Sequence, residues 1–240
     1  MKEQLYTIPV NDAFALDSEC PVCAMYDSLE REAIEFTMGP SYMEDDVRME
    51  TNRIGFCTHH VKLLYKHQNR LGLALILHTH MQRTNQDLES LLASSSPAKK
   101  GLFAKKTDTA SPVTEYIQAL NSSCYICNRI DRVFERYLAT IFHCYEHDSE
   151  FRAKFASSKG FCTKHFGMLY EKAPAQLSSK RLGEFIPALN QVYLTNMKRV
   201  TDDLEWFTDK FDYRNEDKPW KNSKDALPRT MTKTNSCFPE

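Results

Sequence analysis

Gly55-Phe56-Cys57-Thr58-His59-His60 is the stretch that decides how this chain is read, because it returns as Gly160-Phe161-Cys162-Thr163-Lys164-His165. Each copy is preceded by a second motif, Cys20-Pro21-Val22-Cys23 in the first and Cys124-Tyr125-Ile126-Cys127 in the second. A C-x2-C is thus followed, 34 or 35 positions on, by a C-x2-H, and six of the eight cysteines belong to these motifs. Two chelating pairs of thiol and imidazole groups are the donor set of a four-coordinate zinc site, and the duplicate makes chance spacing a poor explanation.

The repeat chooses among the histidines. Lys164 aligns with His59 and His165 aligns with His60, so only the C-x2-H position is histidine in both copies. The ligands are therefore Cys20, Cys23, Cys57 and His60, with Cys124, Cys127, Cys162 and His165, and His59 is a neighbour. The simplest pairing closes each copy on its own ion. An exchange, with Cys20 and Cys23 meeting Cys162 and His165, satisfies the same spacing. Cysteines at helix starts favour the thiolate, since it faces the positive end of the helix dipole. Structural zinc supplies roughly 10–16 kcal/mol of apparent binding free energy, as much as the stability of a whole domain. Three cysteines and a histidine leave no position for water, so the expected role of the two zinc ions is structural. An iron–sulfur cluster is the alternative occupant, since sequence separates Cys3His ligation by zinc from cluster ligation poorly.

The remaining composition narrows the class. The chain has 240 residues, 42% apolar and 26% charged, with seven glycines and a net charge of −1. That charge gives no global field for nucleic acid. The first residues lack the apolar core of a signal peptide, and the most apolar run, Leu71 to Leu77, is too short to span a bilayer. A reducing cytoplasm is the expected location, where C-x2-C reads as metal or redox chemistry before disulfide. Thioredoxin-type chemistry needs a βαβ setting, and no strand pattern precedes either motif. There is no Gly-rich phosphate loop, no H-E-x2-H and no serine-nucleophile motif.

Periodicity predicts an all-α protein, internally duplicated, with two metal-clipped helical units packed as one globule. Residues 1–17 read as an irregular lead-in. Helices follow from Cys23 to Phe36, stopped by Gly39-Pro40, and from Val47 to Asn52, capped by Asp45-Asp46 and ended by Gly55. Cys57 opens one long helix carrying Val61, Leu64, Leu71, Leu75, Leu77 and Leu88. Further helices run from Pro112 to Ala119, from Cys127 to about Cys144 and from Ser149 to Ala156. Pro187 starts or kinks the last long helix. The division is 1–92 for the first repeat, 93–112 for a linker, 113–210 for the second repeat and 211–240 for an extended segment and tail. That segment is expected to be pinned by Tyr213 and Trp220, with disorder beyond about Arg229. His143 and His147, one helical turn apart, read as exposed polar residues, His78 and His80 as a pair without function, and Cys237 as a free thiol.

With both motif copies, Asp46-Val47-Arg48, Asn52, the Leu71 to His80 helix and the Phe211 to Trp220 stretch in place, the chain resembles an uncharacterised bacterial family, a domain of unknown function. The resemblance covers nearly the whole chain. It implies an all-helical duplicated protein with paired Cys/His motifs and brings no activity with it. The functional expectation is a non-catalytic, zinc-stabilised scaffold that binds a protein partner. Its rival is an iron–sulfur or thiol-based redox or metal-sensing protein.

Overall fold

The computed structural model describes residues 4–94 and 111–236. Most of the expected linker at 93–112, and Cys237, lie outside the described residues. Among those described, every regular element is helical: α1 (Gln4–Ala15), α2 (Pro21–Met38), α3 (Asp45–Ile54), α4 (Thr58–Lys66), α5 (Arg70–Ser94), α6 (Pro112–Asn121), α7 (Tyr125–His147), α8 (Ser149–Ser157), α9 (Thr163–Gln176), α10 (Ser179–Asp209) and α11 (Ala226–Asn235). Two short 3-10 turns, Pro40–Met43 and Tyr213–Asn215, complete the list. The all-α expectation holds, and no described helix is long and apolar enough to cross a membrane.

The chain packs as two compact units that cut across the sequence copies. One comprises the residues up to Ser28 and those from Val133 onward; the other is Leu29–Arg132. The boundaries fall inside α2 and α7.

In the first unit, aromatic burial sets the core. Phe14 of α1 lies edge-on to Phe151 at 4.9 Å between ring centroids, and Phe155 contacts Phe161 and Phe185, both at 5.3 Å. Phe151, Phe155, Phe161 and Phe185 are fully buried, each worth about 1.5–3 kcal/mol relative to an exposed ring. This core overturns the irregular lead-in. Residues 4–15 are helical despite Pro9 because Val10, Ala13 and Phe14 fall on one face and are buried. Tertiary packing outweighs the single backbone bond that the proline removes.

In the second unit α3 packs on α5, and α5 on α4 and α6. The single long helix expected from Cys57 is two helices. His67 leaves helical geometry at φ −66°, ψ 146°. Asn69 accepts from the Gly72 N–H and donates to the Met38 carbonyl, so it caps α5 and ties it to α2. Leu71, counted in the apolar stripe, is exposed. Near the C-terminus, α10 starts at Ser179 under a Ser178 cap and runs past Pro187.

The segment after α10 is held differently from the expectation. Tyr213, one of the two expected pins, is 84% exposed, and Phe211, 75% exposed, meets the Phe207 ring edge-on at 5.4 Å between centroids. The buried Lys210 instead donates to the carbonyls of Asn215, Glu216 and Lys218, each at 2.7 Å, while the Trp206 indole N–H donates to Pro219 and Trp220 packs on Phe207. Beyond Arg229 the chain is helical through Asn235, with Thr232 and Lys233 buried.

Candidate metal centres

Each C-x2-C and each C-x2-H sits at a helix N-terminus. Cys20 and Cys124 immediately precede α2 and α7, and Cys57 and Cys162 are the N-caps of α4 and α9. The carbonyls of all four accept the first i+4 bond, from Ala24, Asn128, Val61 and Phe166 respectively. The second ligand of each pair, three residues on, lies in the first turn beside the first. Gly55 and Gly160 make the entry turns, at φ 63° and 80°. A Cβ on Gly55 would come within 2.5 Å of the His80 ring, and one on Gly160 within 3.0 Å of the Val192 carbonyl, so these turns are tight as well as left-handed.

The eight motif residues gather into two clusters, and the pairing is the exchanged one. Cys20 and Cys23 meet Cys162 and His165; Cys57 and His60 meet Cys124 and Cys127. This corrects the simpler expectation that each copy closes on itself. The first cluster, here site 1, lies wholly in the first unit, and site 2 wholly in the second. Loop closure does not resist the exchange. Cys23 and Cys162 are 139 positions apart, against 34 for Cys23 and Cys57. The added entropic cost, growing as the logarithm of length, is about 1 kcal/mol.

The donor atoms fit one tetrahedral ion. With Zn–S near 2.3 Å and Zn–N near 2.0 Å, tetrahedral edges are about 3.6 Å for S···N and about 3.8 Å for S···S. In site 1 the His165 Nδ1 lies 3.5, 3.3 and 3.2 Å from the sulfurs of Cys20, Cys23 and Cys162, and Cys23 and Cys162 are 3.6 Å apart. In site 2 the His60 Nδ1 lies 3.2 Å from Cys57 and 3.3 Å from both Cys124 and Cys127. The described cysteines are all free thiols.

In each cluster the ionisation of one thiol depends strongly on the others. In site 1 burial pushes the Cys20 thiol up to about 12. Hydrogen bonding to Cys162, and then to Cys20, drives Cys23 up as well, while bonds from Cys20 and Cys23 hold Cys162 far down. In site 2 burial opposes the Cys124 thiolate but is outweighed by His60 and by the Cys127 and Cys57 N–H groups, which bring it to about 6. Burial and the adjacent Cys124 charge push Cys127 up to about 12. Burial works against charge on His60 too, yet Cys124 and Glu30 raise it to about 10. One thiolate per cluster is stabilised at its neighbours' expense, and a divalent ion would relieve that repulsion.

The surroundings differ between the sites, and here lie residues that motif reading missed. At site 2, Glu30 Oε1 lies 3.1 Å from His60 Nε2 and 2.9 Å from the exposed His59 Nε2. A carboxylate on the distal imidazole nitrogen is the usual brace of a metal-bound histidine. His59 stands on this brace and outside the cluster of four. The Ile54–Gly55 turn is joined to the Cys124 turn by Ser123 Oγ donating to Ile54 and the Tyr125 N–H donating to Gly55. At site 1 the equivalent tie is a side chain. Lys233 of α11, 1% exposed, donates to the carbonyls of Glu19 and Lys159, the residues just before Cys20 and Gly160. Ser236 Oγ lies 3.0 Å from the Cys162 sulfur. No motif marks Lys233; its signal is a lysine in a segment otherwise read as a polar tail.

His143 and His147 rings lie 4.7 Å apart, but neither belongs to a group of three or more metal-type donors among the described residues. His80 is held in the fold, its Nδ1 2.9 Å from the Asn52 carbonyl and its ring packed against the Gly55 turn. In comparisons with known proteins, the model of the family described as Family of unknown function (DUF6062) matches residues 1–240. No curated protein and no solved structure matches.

Proposed function

Starting from a chain that belongs to DUF6062, a family of unknown function, we propose that the protein is a non-catalytic module whose two units are each closed by a Cys3His zinc, and which serves by binding a protein partner in the cytoplasm. The observation that carries this reading is the edge lengths of the two donor clusters, 3.2–3.6 Å, which suit one small tetrahedral ion. All donors of a cluster lie within 4.8 Å of one another. An iron–sulfur cluster would divide its ligands among several irons and hold them farther apart. Four protein ligands leave no site for a water nucleophile, which argues against hydrolysis. The exchanged pairing and the shared helix-start construction support a duplication, with copies at 1–92 and 113–210 each lending half a site to the other. The exposed Phe211 and Tyr213, on a loop fixed by Lys210, support a docking role for that segment.

The test is metal analysis with an absorption spectrum on anaerobically purified protein. Two zinc ions per chain and no visible band are expected. Iron with charge-transfer absorption, or only one metal or none per chain, would overturn the two-zinc reading.

A further inference from the structure

We propose that the two partly exposed cysteines of site 2, Cys57 and Cys127, are a modification site for small hydroperoxides, whose oxidation releases the ion of site 2 while site 1 keeps its own. The inference rests on the zinc reading above and assigns the two sites different chemistry.

Four independent features separate the sites. In site 1 all four donors are buried, at 0–3% exposure, whereas Cys57 and Cys127 are partly exposed. The phenylalanine before the C-x2-H is fully buried at Phe161 but only partly buried at Phe56. Cys162 accepts the His165 N–H and has Ser236 Oγ at 3.0 Å, whereas Cys57, the same position in α4, makes no side-chain cap bond. Hydrogen bonds withdraw charge from a thiolate sulfur, so the sulfur that lacks the N–H cap bond and the hydroxyl contact is the better nucleophile. Finally, α11 fastens site 1 through Lys233, whereas at site 2 the brace on His60 is Glu30, 17% exposed, which also meets the exposed His59. Thiolate character together with access decides where oxidation begins.

The step balances on these residues. One thiolate attacks a peroxide oxygen, the O–O bond breaks, and the products are a sulfenic acid and hydroxide. The second thiolate then attacks that sulfur and displaces a second hydroxide, leaving a Cys57–Cys127 disulfide. The two sulfurs together supply two electrons to the peroxide, and two protons from solvent convert both hydroxides to water. Site 2 is left with Cys124 and His60 and releases its ion.

The experiment uses the full-length, zinc-loaded protein treated with hydrogen peroxide. Released zinc is followed with a chromogenic chelator, and unreacted thiols are mapped at intervals by isotope-coded maleimide and mass spectrometry after unfolding. One equivalent of zinc is expected in a fast phase, with Cys57 and Cys127 the first zinc-site cysteines lost, and the second equivalent at least tenfold slower. Simultaneous release of both ions, loss beginning at Cys20, Cys23 or Cys162, or no release above the untreated control would overturn the proposal. Protein that carries no zinc at the outset would instead defeat the zinc reading itself, before peroxide is added.

Discussion

Replacing Lys233 by methionine removes a buried cation and keeps most of its volume. Lys233 Nζ donates to the Glu19 carbonyl at 2.6 Å and to the Lys159 carbonyl, and lies 3.3 Å from Glu19 Oε2. Bonds from a charged donor contribute about 1.5–3 kcal/mol each, and a buried carbonyl left without its donor loses a comparable amount. Two carbonyls are orphaned, while the Glu19 carboxylate keeps Arg199 at 2.6 Å. Against this, burial disfavours the charged lysine, and methionine escapes that desolvation. The expected net loss is about 2–4 kcal/mol. Because the two carbonyls belong to the turns that carry Cys20 and Cys162, site 1 loosens with them. Urea denaturation in zinc-buffered solution should show the stability loss, and competition with a chelator should show the more weakly held ion leaving at least tenfold more readily, the other being unchanged. A variant as stable as the parent, with both ions held as before, would refute the view that Lys233 fastens the site 1 turns.

Three other outcomes follow from particular contacts. His60→Ala should lose the site 2 ion and His59→Ala should retain it, as read by zinc content after gel filtration; equal loss from both would put His59 among the ligands. Lys210→Met, which strips three carbonyls of their donor, should make the 211–220 loop cleavable by trypsin under conditions where the parent resists. Glu146 accepts from both the N–H and the hydroxyl of Ser178 at the start of α10; burial opposes its ionisation, but these bonds outweigh it and hold the carboxyl below its ordinary value. A depressed folded-state pKa means that this contribution is present above the ordinary carboxylate range and is lost as pH falls through the lower folded value. Glu146→Gln should therefore flatten the acid limb of the stability-versus-pH curve, while leaving a parallel curve would exclude the linkage.

The sequence by itself determined the candidate donor set and the helical class. Ligand type and spacing are local, so Cys20, Cys23, Cys57, His60 and their second set could be named, and the aligned Lys164 removed His59 from consideration. Gly55 ended α3 as expected because turn preferences are local too, but the expected Asp45-Asp46 cap is not one: both lie in the first turn of α3, behind Glu44, which makes no side-chain cap bond. Tertiary structure alone decided which pair meets which: a zinc tetrahedron accepts either C-x2-H, and the loop-length difference of about 1 kcal/mol is too small to choose. It also decided the fate of segments whose order comes from distant partners. The α1 helix forms against Phe151 and Phe155 in spite of Pro9, and α11 forms where the sequence reads as a polar tail, because Lys233 finds carbonyls 214 and 74 positions away. Such partners leave no periodicity behind, since the energy that orders the segment belongs to contacts the local sequence does not contain.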